Sequence, residues 1–315
     1  METFDEFGRV RRSAEVVAYL HGLVKDEAAL AELVEPVPEL IPWGVSGMYF
    51  TGRWAPESVD VLVKVGVSGT QRFWSEVVAE RDPGLAPRVF AVGDRLSGVE
   101  VGWVVMERLP GGLHDGWGGI EFGLLMDAGV RFQRLARTIV SAPYGELTAD
   151  AVHEWLVRGQ ERGAPGPVDV VLERFEEDWR FVNEVCPAEV CHGDLHMGNV
   201  LMRTPAPEIS PALLIDFEPC QMPWVFDAAY PQVLNSDPAR TGWQDMVGQM
   251  ADCRSAYGLP VCADEDLKRA GAIALGWYAL RMWGMLGPTP DSAWRAASVW
   301  RQQNETYIEA GAKGG

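Results

Sequence analysis

The sequence predicts an α+β protein of two lobes, a small antiparallel β lobe followed by a larger, mainly α-helical one. Two textures and the break between them carry that expectation. From Pro42 the chain runs through short β-branched and aromatic segments separated by glycine and proline. Beyond the LPGG at 109–112, apolar residues recur instead at helical spacing. The break predicts lobes of 1–107 and 108–315, and the 315 residues suffice for a core in each.

The first forty residues read as helical. Ser13 is placed to cap AEVVAYLHGLV, and DEAALAELV follows with acids in its first turn. GVSGMYFTGRW, VDVLVKVGV, PRVFAVGDRL and VEVGWVVMERL then read as strands, interrupted by one helical segment, QRFWSEVVAER. In the second lobe Leu125, Phe132, Ala136 and Ile139 share a helical face, as do Leu172, Phe175, Trp179 and Val182, and again Ile273, Trp277, Leu280 and Gly284. The one non-helical island there spans 190–220.

The net charge of −18 argues against nucleic acid and anionic membranes as partners and favours a cationic small molecule. Five cysteines, an odd number with no C-x-x-C pair, fit neither a disulfide framework nor a zinc cluster and suit a reducing cytoplasm. METFDEFGRV lacks a signal-peptide core, and the apolar run Ala270–Leu280 ends at Arg281, too short to span a bilayer. A soluble cytoplasmic protein is expected.

The island holds the chemistry. In CHGDLHMGNVL, Asp194 is followed after four residues by Asn199, and sixteen more lead to Asp216 in LLIDFE. This is what phosphoryl transfer requires. One carboxylate orients the acceptor hydroxyl and takes its proton, while an amide and a second carboxylate hold Mg2+ against nucleotide phosphates. His192 and His196, four apart, have the spacing of a zinc-binding helix face, but glycines flank the loop and no third ligand follows. A merely structural loop is the other bland reading, and the LLIDFE run weighs against it.

HGDLHMGNVL followed by LLIDFE resembles the catalytic loop and metal motif of the aminoglycoside phosphotransferase and choline kinase families. These are small-molecule kinases of protein-kinase-like fold. The resemblance implies Asp194 as catalytic base and Asn199 and Asp216 as metal ligands, with ATP or GTP as donor. His192 and His196 would brace the loop.

A kinase also needs a cation on the phosphates, and Lys64 is a lone charge in VLVKVGV. A buried ammonium must be paired. Glu76 in the following helix is the expected partner and Glu80 the alternative, and the family's strand lysine pairs with such a glutamate. GVSGMYF resembles the nucleotide-covering loop, which points to Ser46, Gly47 and Met48, although a full G-x-G-x-x-G is missing. WVVMERLPGG resembles the strand-to-hinge connection. That implies Met106 at the back of the adenine pocket, with the Glu107 and Leu109 backbones on the purine edge. Asp227, in QMPWVFDAAYP, reads as a helix cap or loop brace.

The acceptor pocket is expected among the C-terminal helices. Asp245, Asp252 and the cluster Asp264–Glu265–Asp266 would suit ammonium groups. Trp243, Trp277, Trp283, Trp294 and Trp300 would suit a quaternary ammonium or a sugar ring, or simply form core. The expected acceptor is a hydroxyl of a cationic antibiotic such as an aminoglycoside. The alternatives are a metabolic kinase for choline, an amino sugar or homoserine, and a nucleotide-binding scaffold without catalysis.

Overall fold

Two prolines, Pro36 and Pro38, decide the fate of the segment that follows the first helix, because proline removes a helix hydrogen bond but is tolerated in an edge strand. In the computed structural model the helix expected over DEAALAELV is replaced by a single 3-10 turn at Ala28–Leu30 and then by a strand. The structure describes residues 3–4, 10–11, 14–39, 47–112, 119–164, 168–204, 211–234 and 245–286. Ser13 lies outside them.

The chain divides into two units, Met1–Gly112 with Leu201–Phe217, and Leu113–Val200 with Glu218–Gly315. In chain order the first contains α1 (Ala14–Asp26), β1 (Leu33–Glu39), β2 (Met48–Trp54), β3 (Val59–Val65), α2 (Gly69–Arg81), β4 (Val89–Gly93), β5 (Trp103–Glu107) and the short β6 (Gly111–Gly112). Strands β1 to β5 form one antiparallel sheet in the order β1-β2-β3-β5-β4.

Strand alternation gives this sheet two different faces. Val61, Val63 and Val65 of β3 join Trp103 and Val105 of β5 in a core that includes Val24 of α1 and Phe50 of β2. Each such fully buried large side chain contributes about 1.5–3 kcal/mol. Lys64 and Leu62 point the other way, opposite Val104 and Met106. Helix α2 starts at a capping box in which Ser68 accepts from the Gln71 N–H, and it buries Gln71, Trp74 and Val78.

Among its described residues the second unit contains β7 (Gly145–Glu146), β8 (Ala188–Cys191), β11 (Cys220–Pro223) and the helices α3 (Gly119–Ala136), α4 (Ala149–Glu161), α5 (Val168–Val185), α6 (Val225–Leu234), α7 (Met246–Ala256) and α8 (Asp264–Leu286). Between β8 and β11 the chain forms β9 (Val200–Met202) and β10 (Leu213–Leu214), and Leu201 and Met202 pair with β6. Two of the three helical faces read from the sequence, those of α5 and α8, lie in an aromatic core, while α3 ends at Ala136, before Ile139 of the third. Trp277 of α8 stacks on Trp179 of α5 at 6.1 Å and on Phe226 of α6 at 5.9 Å. Trp277 and Trp283 are buried. Trp243, Trp294 and Trp300 fall outside the described residues.

Charged side chains are sunk into this unit, Arg254 among them. Arg254 of α7 is 0% exposed. It donates to Gln133 of α3, to Glu189 of β8 at 2.6 Å and to the Pro260 carbonyl at 3.0 Å, and lies over the Trp224 ring. Burial alone would raise the Glu189 pKa, but the hydrogen bonds and charges of Arg137 and Arg254 outweigh it and hold the group below its ordinary value. Arg254→Ala leaves Glu189 and Gln133 without that partner and is expected to cost about 3–5 kcal/mol in urea unfolding. Because the folded pKa of Glu189 is depressed, its contribution is present above the ordinary glutamate pKa and is lost as pH falls through the folded value. A loss under 1 kcal/mol would contradict the assignment.

Candidate active site

The face of the sheet that carries Lys64 opens into a crevice lined by Val67, Ala86, Val104, Met106, Ile215 and Asp216. Lys64 is only 2% exposed, so its charge needs a partner. That partner is Asp216, which pairs with it from the segment after β10. Asp216 adopts a left-handed backbone at φ 57, a conformation that costs a non-glycine residue about 1 kcal/mol or more. Its surroundings hold it there: the Leu214 N–H donates to the Leu85 carbonyl at 2.7 Å, and Phe217 is 1% exposed.

Gly47 lies over the same lysine. Its φ is +86, and a Cβ there would sit 3.0 Å from Lys64 Cε and 3.0 Å from the Val65 carbonyl oxygen. Glycine is thus required both by the backbone and by the lysine stem beneath it. Met48 is buried in the core and Ser46 lies outside the described residues.

The expected pair of Lys64 with Glu76 is not formed. Helix α2 turns Trp74 and Val78 inward. Two residues on from Trp74, about 200° around the helix, Glu76 is exposed, and so is Glu80. Gln71 and Ser75 of α2 line the crevice instead. Sequence spacing along a helix is compatible with a pairing that the helix's own apolar face rules out.

Met106 lines the crevice and is 7% exposed. Glu107 follows it with its N–H donating to the Arg88 carbonyl at 2.8 Å and its carboxylate paired with Arg203. Leu109 is half-buried.

In the second unit, the loop around Asp194 is built on two buried groups. His192 is 0% exposed, and its Nδ1 accepts the Asp194 N–H at 3.3 Å. Asp227, in the first turn of α6, accepts the N–H of His192 at 3.1 Å and that of Gly193 at 3.3 Å. Burial pushes Asp227 up to about 7, against the pull of those donors. Asp227 is thus the loop brace that the sequence offered beside a plain cap. Gly193 has φ +84, and a Cβ on it would overlap the Glu218 carbonyl.

Asp194 itself is held from two sides. The Asn199 amide nitrogen donates to its carbonyl at 2.9 Å and to its carboxylate at 2.8 Å, and His196 Nε2 lies 3.5 Å from the same carboxylate oxygen. His196 Nδ1 accepts the Gly198 N–H at 2.9 Å, which orients the ring. Burial alone would raise the Asp194 pKa, yet the hydrogen bond and charge of His196, together with the other loop donors, lower it to about 2. The structure thus brings Asp194 together with Asn199, and Lys64 together with Asp216. Sequence reasoning missed Tyr230, whose phenol faces the Asp194 carboxylate and is raised by burial and by that charge. Its only signal is its position three residues after Asp227 on α6.

A cavity of about 660 Å³ opens among α6, α7 and α8, with Asp245, Asp252, Asp264 and Lys268 on its wall. Asp245 also caps α7 by accepting the Gly248 N–H at 2.9 Å.

The sequence profile described as the phosphotransferase enzyme family matches residues 71–257, more than half of the chain and the whole of the Asp194–Asp216 island. The chain belongs to the phosphotransferase enzyme family. It is a kinase of protein-kinase-like fold. No curated protein matches it in sequence. Among solved structures it is similar to an aminoglycoside phosphotransferase from Alicyclobacillus acidocaldarius, with 13% identity, TM-score 0.58, and 92% of this chain and 94% of that one covered. It is equally similar to a choline/ethanolamine kinase family protein from Mesorhizobium loti, with 15% identity, TM-score 0.58, and coverage of 92% and 93%. An aminoglycoside phosphotransferase from Streptomyces rimosus, solved with ADP and streptomycin, matches at 16% identity and TM-score 0.50 over 85% of this chain and 99% of that one.

The two glycines should differ in a measurable order. Gly47→Ala adds a strained φ and two contacts at 3.0 Å, one with the movable lysine stem and one with the Val65 carbonyl, neither of them a deep overlap, so a loss of about 1–2 kcal/mol is expected in chemical denaturation. Gly193→Ala adds the same strain and a clash with fixed backbone, and its loss should exceed that of Gly47→Ala. The reverse order would contradict the packing described.

Proposed function

We propose that this phosphotransferase moves the γ-phosphate of ATP or GTP to a hydroxyl of a cationic natural product such as an aminoglycoside antibiotic. The observation that carries the reading is the Lys64–Asp216 pair on the crevice face of the sheet, next to Met106. An ammonium and a carboxylate held together beside an apolar slot are what a nucleotide's phosphates, metal and base need in turn. Met106 and the Glu107 and Leu109 backbones then meet the purine, and Gly47 with Ser46 covers the phosphates. Glu76, exposed and away from Lys64, has no part in this reading.

Asp194 orients the acceptor hydroxyl. A carboxylate near 2 is a weak base, so its main service is position, which suits a loose transition state in which the proton leaves late. The residues also fit magnesium. Asn199 commits its nitrogen to Asp194, which leaves its oxygen to offer, and Asp216 keeps a second carboxylate oxygen beyond the one that Lys64 holds. When bound, magnesium would neutralise charge on the phosphate oxygens.

The net charge of −18 and the acids around the α6–α8 cavity support a cationic acceptor, as does the streptomycin bound to the Streptomyces rimosus protein. The equal likeness to the Mesorhizobium loti protein supports a second reading, a metabolic kinase for choline, an amino sugar or homoserine. Among the described residues no helix is long and apolar enough to cross a membrane. The five cysteines are free, as suits a cytoplasmic enzyme. A turnover screen of ATP and GTP against aminoglycosides, macrolides, choline and amino sugars, read by coupled detection of the nucleoside diphosphate, separates the two readings.

Asp194→Ala should lower turnover by at least about 100-fold while nucleotide affinity is kept. Equal loss of both would remove Asp194 from the acceptor side. Asp216→Ala should instead weaken magnesium-dependent nucleotide binding. With Asp194 near 2, its ionisation cannot produce a loss of activity near neutrality. An acid limb near pH 7 would belong to Asp227 and should vanish in Asp227→Asn. A limb that persisted in that variant would contradict the assignment.

A further inference from the structure

Arg281 interrupts the apolar run of α8, and its guanidinium lies over three rings: Trp155 at 4.4 Å, Tyr278 at 5.5 Å and Tyr230 at 5.9 Å. Stacking of this kind satisfies the flat face of the group and leaves its N–H edge to find acceptors. Among the described residues Arg281 has no carboxylate partner and no hydrogen-bond acceptor. Neighbouring arginines of the same unit are treated differently. Arg254 holds Glu189, and Arg269, which also stacks on a ring, holds Glu177 and Asp178. Arg134, also stacked on a ring without an acid among the described residues, is exposed, whereas Arg281 is half-buried, and in a chain with 45 acidic residues against 27 basic ones such a guanidinium suits an anion from outside.

Its position says which anion. Tyr230 connects Arg281 to the reacting end. The Tyr230 ring packs edge-on to His196 at 6.0 Å, and its hydroxyl faces Asp194. Arg281 and Asp194 act on that same phenol in opposite directions, as does the nearby Glu218 on the side of Asp194. An acceptor whose alcohol meets Asp194 therefore has, around the same Tyr230 ring, one arginine that suits a carboxylate and one further acid, Glu218, that suits an amine.

We infer that Arg281 binds a carboxylate of the acceptor, so that the acceptor is a zwitterionic hydroxyl compound rather than a polyamine. The inference rests on the kinase reading of Asp194, and between the two acceptor readings above it favours the second, in the form of an amino-acid-like alcohol such as homoserine. A bidentate guanidinium–carboxylate contact sets distance and orientation as well as charge, and would fix the alcohol at Asp194.

The test uses the full chain and matched acceptors that differ in one acid group: L-homoserine against 3-amino-1-propanol, and L-serine against ethanolamine. Each is assayed with magnesium and either ATP or GTP, for wild type, Arg281→Gln and Arg281→Lys. Wild type should prefer the acid member of at least one pair by about 10- to 100-fold in kcat/KM, the range of a charged hydrogen bond. Arg281→Gln should erase that preference, chiefly through KM. Arg281→Lys, which keeps a cation on the rings, should restore part of it. Turnover of both members at equal efficiency, or a preference unchanged in both variants, overturns this inference and leaves the kinase reading standing. Absence of turnover for every pair, with turnover of an aminoglycoside or choline in the same assay, overturns this inference and leaves the kinase reading standing; absence of turnover there too counts against the two together.

Discussion

An ammonium in the middle of an apolar strand needs a carboxylate, and much of the first unit follows from where that carboxylate comes from. Lys64 sits on β3 at a position whose neighbours Val63 and Val65 face the core, so alternation turns it to the opposite face. The partner, Asp216, lies 152 residues further along the chain. To deliver it, the chain returns through Leu201–Phe217 and becomes part of the first unit. The unusual backbone of Asp216 and the glycine packed on the lysine stem are both local costs of keeping this pair in place. Such strain is retained where the surrounding structure fixes the residue, which is common at functional positions.

The loop in the second unit follows a similar rule with different groups. Here the buried charge is Asp227, and it is spent on two backbone N–H groups rather than on a cation. Those contacts shape the turn at Gly193, and the turn presents Asp194 to Asn199 and His196. The result is a carboxylate with its protonation settled and its direction fixed. That suits a reaction in which positioning matters more than basicity.

Much of this was legible in the sequence, for identifiable reasons. The strands of the sheet and the faces of α5 and α8 are visible because one side of each is apolar and the period shows it. Asp194 and Asn199 are visible because polar groups set among glycines next to an apolar run have few structural uses, and Asp216 because a lone carboxylate closes the apolar run that follows. What stayed hidden depends on geometry that spacing does not carry. The strand at Leu33–Glu39 looked helical until its prolines were given their weight. Glu76 was a reasonable partner for Lys64 by distance along the chain, and the inward turn of Trp74 and Val78 excluded it. Tyr230 and Arg281 gave no motif at all, since one reads as an ordinary helical aromatic and the other as the end of an apolar stretch.

The central claim is that Lys64 and Asp216 form one unit that receives the nucleotide. A double-mutant cycle on binding addresses it most directly, with Mg–AMP-PNP titrated calorimetrically into wild type, Lys64→Met, Asp216→Asn and the double variant. The account predicts that each single change weakens binding by at least about 10-fold and that the two losses are not additive, because each residue holds the other in position. Affinities like that of wild type in all three variants would contradict it.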